Sequence, residues 1–322
     1  MSFPATLLPR CCFLAGPTAS GKSALALLLA EQLGAEILAL DSMTVYRGMD
    51  IGTAKADAVE RLRVPHHLLD LVNPEAEYSI ADYLAAAANV AEQVLQRGRV
   101  PLFVGGSGLY LRALLRGFTE GPAANWEIRG RWDAAARERG PDWIHGELQR
   151  VDPQTAARLH PQDLRRIIRA LEVYEITGRP ISAEQQHGPR SAEWRPRLAV
   201  WLDPDRGVLR ERIALRMKLM LDRGWLDECR CLLNREAGLS RTASQALGYR
   251  ELFMHLQGQL SLEEAARRIQ TSTSQFAKRQ CTWFRSLEEC RRLELTGWEG
   301  AEQMLERLAV LTDGFAPAKA LQ

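Results

Sequence analysis

Short unbroken apolar runs alternate with helical repeats in the first two hundred residues. Cys11-Cys-Phe-Leu-Ala15 is a continuous apolar run closed by the turn pair Gly16-Pro17, the pattern of a buried strand. Ser23 to Leu33 is rich in alanine and leucine and stops at Gly34, a residue suited to the left-handed position after a helix. Glu36-Ile-Leu-Ala-Leu40 reads as a second buried strand. Ser79 to Gln96 then reads as a helix, and Gly98 breaks it before a strand at Val100–Val104. A fourth strand is expected at Leu198–Leu202. Strands alternating with helices predict an α/β fold, a parallel sheet flanked by helices on both faces.

The pattern changes from about Gly117 to Gln186. That stretch shows only short polar helices, punctuated by Gly121-Pro122, Gly140-Pro141, Asp152-Pro153 and His160-Pro161. Strand character resumes at Leu198, so residues 117–186 are expected to be an all-helical insertion in a core formed by 1–116 and 187–322. Beyond Pro204 everything reads as helical to about residue 309, with breaks at Gly224, Gly238, Gly248 and Gly258. The tail Gly314–Gln322 is expected to fray.

Composition narrows the class. With 46% hydrophobic and 25% charged residues over 322, the chain is globular and neither fibrous nor disordered. No apolar stretch approaches the ~20 residues that span a bilayer, and secretion is not expected, because Met1–Arg10 has one basic residue and the apolar run Cys11–Ala15 is short for the core of a leader. Six cysteines, none in a CxxC pair, suggest reduced thiols in a cytoplasm rather than disulfides or a zinc site. Net charge is only +2, but five lysines among 42 basic residues leave 37 arginines. Guanidinium suits phosphate and nucleic acid; a GC-rich genome explains the bias equally well.

Position supplies what composition does not. Gly16-Pro17-Thr18-Ala19-Ser20-Gly21-Lys22-Ser23 matches G-x4-G-K-[ST] between an expected strand and an expected helix. Glycines let the backbone curl its N–H groups toward phosphate oxygens, and the helix N-terminus adds partial positive charge. Lys22 would neutralise terminal phosphates, and the Ser23 hydroxyl would ligate Mg2+. ATP, GTP and a plain diphosphate ester all present the same oxygens to such a loop.

Asp41 follows the second strand and Gly105-Gly-Ser-Gly108 follows the third, where parallel sheets bind ligands. Asp41 could serve as a base, a Mg2+ partner or a helix cap. His66 and His67, with Asp70, suggest metal or acid–base work. Adjacent histidines point in different directions, however, which favours hydrogen-bonded loop residues near the site. Ala265 to Arg285 holds Arg267, Arg268, Lys278, Arg279 and Arg285 without an acid, +5 over 21 residues, with Trp283 and Phe284 inside it. Cations interleaved with rings suit a nucleic-acid strand. Arg165, Arg166 and Arg169 form a second basic cluster. Either cluster could instead be a solvated helix face.

Taken together, these segments resemble the bacterial tRNA dimethylallyltransferases (tRNA isopentenyltransferases). The resemblance rests on GPTASGKS at 16–23, DSMTVYRGMDIGTAK at 41–55, VPHHLLD at 64–70, VGGSGLYLRALL at 104–115, LHPQDLRRIIRALEVYEITG at 159–178, ALGYRE at 246–251 and AKRQCTWFR at 277–285. They occur in family order across nearly the whole chain, and DIGTAK and KRQxTWFR are far more specific than the phosphate loop. Ser107 stands where threonine is usual, and Thr44 where glutamine is frequent.

The resemblance implies a P-loop-type core that transfers a dimethylallyl group from dimethylallyl diphosphate. The acceptor is N6 of adenosine 37, just 3′ of the anticodon, in tRNAs reading codons that begin with U. Asp41, Lys22 and Ser107 would be catalytic, Gly16 through Ser23 would hold the diphosphate, and Mg2+ would sit on Ser23. Expected tRNA contacts are Asp41, Ser42, Met43, Thr44, Ser107, Arg129, Arg165, Arg166, Ile167, Ile168, Arg169, Gly248, Tyr249, Arg250, Lys278, Arg279, Gln280, Trp283 and Arg285. The insertion would close over the anticodon stem-loop, and the enzyme would be a cytoplasmic monomer without a membrane partner. The rival reading is a P-loop kinase, in which Asp41 would be base to an acceptor hydroxyl. A minimal kinase needs neither the basic segment nor so long an insertion.

Overall fold

The computed structural model describes residues 3–184 and 188–312. The tail Gly314–Gln322 lies outside the described residues. Two compact units emerge, Gly117–Gly188 and, from two stretches of chain, Ser2–Arg116 with Pro189–Gln322.

The larger unit is built on a parallel sheet of six described strands. They are β1 (Cys12–Ala15), β2 (Ala35–Leu40), β3 (His66–His67), β4 (Val100–Gly105), β5 (Leu198–Pro204) and β6 (Arg291–Leu295), in the order β3-β2-β4-β1-β5-β6. Every residue of β1 and β2 is buried, as expected for strands covered on both faces. Between the strands lie α1 (Lys22–Leu33), α2 (Ala58–Arg63), α3 (Ile80–Gln96) and α4 (Gly108–Arg116). Helix α3 starts at a capping box in which Ser79 and Asp82 satisfy each other's backbone N–H, and α1 stops where Gly34 turns left-handed at φ 60°.

The smaller unit holds α5 (Trp126–Arg139), α6 (Pro141–Val151), α7 (Pro153–Ala156), α8 (Leu164–Thr177) and α9 (Ile181–Glu184). Its core is Ala136, Ile144, Leu148, Ile167, Ile168 and Leu171. The larger unit resumes with β5 and continues through α10 (Arg206–Asp222), α11 (Trp225–Leu233), α12 (Arg241–Ser244), α13 (Tyr249–Leu256), α14 (Leu262–Arg285), β6 and α15 (Ala301–Leu311).

Strand alternation divides the sheet core. Cys12, Leu14, Ile37, Leu102, Val200, Leu202, Leu293 and Leu295 pack with Leu25, Leu29, Met304 and Leu308 of α1 and α15. On the other face Phe13 stacks on Phe103 at 4.9 Å, and Tyr83 of α3 stacks on Tyr110 of α4 at 4.1 Å. No described helix is long and apolar enough to cross a membrane.

Two strands correct the sequence reading. Arg291-Arg-Leu-Glu-Leu295 falls in the stretch expected to be helical. Only Leu293 and Leu295 are buried while the charged residues are exposed, so a half-buried edge strand carries too few apolar residues to declare itself. The histidine pair forms β3 rather than a loop. His66 Nδ1 pairs with Val64 O, and His67 Nε2 with Glu36 at 2.6 Å.

Candidate active site

Register in the sheet brings three loops together. Leu40 of β2 and Ala15 of β1 both lie opposite Gly105 of β4, so all three strands end level. Backbone hydrogen bonds then join the loops. Gly16 N donates to Gly105 O at 3.2 Å, and Ser107 N donates to Leu40 O at 3.2 Å. The phosphate loop, the glycine turn with Ser107, and Asp41 therefore share one edge of the sheet. This is the carboxyl edge, where open α/β sheets hold ligands.

Ala19 and Gly21 both take positive φ, 62° and 87°, which curls the loop into a concavity suited to an anion. Lys22 begins the twelve-residue α1, whose first-turn N–H groups have no acceptor within the helix. Burial and Arg216 push the Lys22 ammonium down to about 8 against the pull of Asp41. Burial likewise lowers Arg216, and Asp41 opposes that shift too. Two cations and one carboxylate thus stand close enough to feel one another, and the cations lack their normal hydration. A polyanion would relieve that cost.

One Asp41 oxygen, Oδ1, accepts the Met43 N–H at 2.8 Å, which orients the carboxylate and leaves Oδ2 for another donor. Tyr83 and Tyr110 lie within reach of the same charge. Burial first, and Asp41 in addition, keep both phenols protonated.

Sequence reasoning missed Arg216. It is one of five cations on α10, and only packing distinguishes it. One turn earlier, Arg212 donates to Ser20 O at 3.3 Å, and Leu209 and Ile213 pack with Ala19 and Ala277. Helix α10 therefore lies along the phosphate loop. Glu228 was missed as well. Its carboxylate accepts the N–H groups of Asp50, Ile51 and Gly52, at 2.8, 2.7 and 3.2 Å, and the Tyr249 hydroxyl at 2.6 Å. Lys55, almost wholly buried, donates to Tyr46 O, Asp50 and Asp70. The chain from Asp41 to Lys55 is thereby pinned at its far end, and Asp41 is held at its near end.

Several expected tRNA contacts have other employment. Tyr249 is fully buried with its hydroxyl on Glu228, and a side chain on Gly248 would lie 2.2 Å from the Trp225 ring, so both are packing residues. Ile167 and Ile168 belong to the core of the smaller unit. Arg129 and Arg169 bind the fully buried Glu172, and Arg166 pairs with Asp163. Arg267 and Arg268 both pair with Glu264, one residue before the acid-free window begins, and Arg285 lies 3.5 Å from Asp203. Gln280 is buried, with its amide spent on Thr18 N and Gly106 O.

Arg165, Arg250, Lys278 and Arg279 remain exposed, Arg279 lying over the Phe276 ring at 5.9 Å. Trp283 is half-buried against Gly108. Ser42 and Met43 are half-buried beside Asp41, and Thr44 keeps a buried hydroxyl with no partner among the described residues.

No group of three or more His, Cys, Asp or Glu among the described residues could cage a metal ion. The donors present fit Mg2+ in a different way. Magnesium favours one or two protein oxygens plus ligand phosphates, and Ser23 stands exposed on the first turn of α1.

Comparison with known proteins agrees with this architecture. The IPP transferase family model matches residues 44–287. A tRNA dimethylallyltransferase of Symbiobacterium thermophilum is 48% identical over 302 residues, covering 92% of this chain and 93% of its own. Another, from Pelobacter propionicus, is 46% identical, covering 89% of this chain and 93% of its own. Among solved structures, the full-length tRNA isopentenylpyrophosphate transferase of Bacillus halodurans superposes with a TM-score of 0.68 at 35% identity, over 95% of this chain and 97% of that one. A eukaryotic dimethylallyltransferase acting on tRNA gives 0.76 at 27% identity, over 96% and 80%. With the family model spanning most of its length and relatives this similar, the chain belongs to the tRNA dimethylallyltransferase family.

Proposed function

We propose that the protein transfers a dimethylallyl group from dimethylallyl diphosphate to N6 of adenosine 37 in tRNAs reading codons that begin with U, releasing diphosphate. The observation that carries this reading is the level ending of β1, β4 and β2, which sets an anion cradle beside an oriented carboxylate. In this reading the amides of the phosphate loop grip the diphosphate, with Lys22 and Arg216 facing the negative charge that grows as the C–O bond breaks. The adenine N6 lone pair is delocalised into its ring, so the amine attacks poorly by itself. Asp41 takes the N6 proton at Oδ2 during attack, while Oδ1 stays fixed by Met43 N. Ser107 offers its hydroxyl from the neighbouring strand end. Ser23 would hold Mg2+, which would supply further charge neutralisation to the leaving diphosphate.

Lys278, Arg279 and Arg250, all exposed on the larger unit, offer cations to the RNA backbone, and Arg165 is an exposed cation of the helical insertion. Adenosine 37 leaves its stack to reach the site. The enzyme works as a cytoplasmic monomer without a membrane partner.

Incubation with labelled dimethylallyl diphosphate and an anticodon stem-loop, with and without Mg2+, tests this reading. Label on N6 of adenosine 37 with equimolar diphosphate is the expected result. No transfer, with ATP consumed to phosphorylate an acceptor, would replace it with the kinase reading.

A further inference from the structure

Helix α14 presents two faces with two chemistries. Lys278 and Arg279 are exposed, whereas Ala277 and Gln280 are buried. The Gln280 carboxamide is committed at both ends. Its Oε1 accepts the Thr18 N–H at 2.9 Å, and its Nε2 donates to Gly106 O at 2.7 Å. Thr18 is in the phosphate loop, and Gly106 directly precedes Ser107. Strand pairing and the Gly16 N to Gly105 O bond fix only the roots of the two loops. Beyond those roots, the Gln280 amide ties Thr18 to Gly106.

The identity of the side chain matters. Asparagine is one methylene shorter. Glutamate would turn an acceptor toward Gly106 O, and leucine would leave the half-buried Thr18 N–H and the buried Gly106 O without this partner. The partner is equally constrained, because a Cβ on Gly106 would lie 2.3 Å from Gln280 Nε2.

We propose that Gln280 is a positioning residue for the transfer reaction. It sets the phosphate loop against the turn that carries Ser107, and so sets the donor diphosphate against Asp41, and it does not contact RNA. This rests on the reading that the loop holds the donor. Because a misplacement of about 1 Å costs on the order of 10²-fold in rate, a single bridging amide is enough to matter.

The test measures single-turnover transfer at saturating tRNA and donor, donor KM and tRNA Kd for Gln280→Leu, Gly106→Ala and the double variant. Gln280→Leu should lower the rate about 10²-fold and raise donor KM. Its tRNA Kd should stay within twofold, because Lys278 and Arg279 are untouched. Gly106→Ala should act the same way, because its Cβ displaces the carboxamide, and the double variant should be no worse than the poorer single, since both disrupt the same bridge. A folded Gln280→Leu protein with a near-normal rate overturns the proposal, as does a tRNA Kd raised in step with the loss of rate. A lowered melting temperature with an unchanged rate overturns it too. If Gln280→Leu does not fold, Gly106→Ala decides by the same readings. Absence of transfer by the wild type would instead strike the functional reading underneath.

Discussion

The phosphate-binding edge and the helical insertion use charge in opposite ways. At the edge, Lys22, Arg216 and Asp41 are few, half-buried and electrostatically coupled, and backbone hydrogen bonds between strand ends place their loops. The insertion, residues 117–188, carries ten arginines against eleven acids. Many of them pair within the unit: Arg129 and Arg169 with Glu172, Arg131 with Glu175, Arg137 with Asp133, Arg150 with Glu147 and Arg166 with Asp163. A high arginine count therefore builds scaffold in one region, and in the other a few uncompensated charges create a demand for an anion.

The greatest expected effect is at the edge. Asp41→Asn should keep tRNA binding and lower the single-turnover rate by about 10² to 10⁴-fold, the range for a lost general base. A near-normal rate would reduce Asp41 to the cap of its own turn.

Lys22 gives a pH signature. Its ammonium sits at about 8 without donor, and a bound diphosphate favours the charged form. Below about pH 8 the donor meets a lysine already protonated. Above it, binding must take up a proton, so donor affinity should fall by up to about tenfold per pH unit. Lys22→Ala should bind weakly and lose that dependence. A wild-type Kd that is flat from pH 7 to pH 9.5 would contradict the coupling.

In the insertion the expected effect is on folding. Burial raises the Glu172 carboxyl, but hydrogen bonds from Arg129, Arg169 and the Asn125 N–H outweigh that and hold it below the usual carboxylate range. Glu172→Gln should cost about 1.5–3 kcal/mol in urea unfolding, the scale of a charge-assisted hydrogen bond, and leave donor affinity unchanged. Unchanged stability would mean that the cluster braces nothing.

The smallest effect is at the surface. Replacing Lys278 and Arg279 with alanine should flatten the salt dependence of tRNA binding by about one to two log units per decade and spare donor affinity. An unchanged salt slope with a lower melting temperature would make both residues helix braces.

Legibility follows the range of the interactions. The phosphate loop, α1 and the strands flanking Asp41 and Ser107 are written in contiguous residues, so periodicity and turn chemistry suffice. Glu228, Arg216 and Gln280 act across 177, 194 and 262 residues of sequence, on Ile51, Lys22 and Thr18 respectively, and nothing beside them marks the partner. The strand β6 hid for a different reason: on a sheet edge, two buried leucines are all the core requires. In the basic segment, the pairing of Arg267 and Arg268 was hidden because the acid-free window begins one residue after their partner, Glu264.

The central claim is that the phosphate loop serves a prenyl diphosphate rather than ATP, and thermal unfolding with each ligand addresses it most directly. At a hundredfold excess over its Kd, dimethylallyl diphosphate should stabilise the wild type by about 2.7 kcal/mol, and an equal concentration of ATP should do far less. Stronger protection by ATP, with dimethylallyl diphosphate inert, would contradict the account.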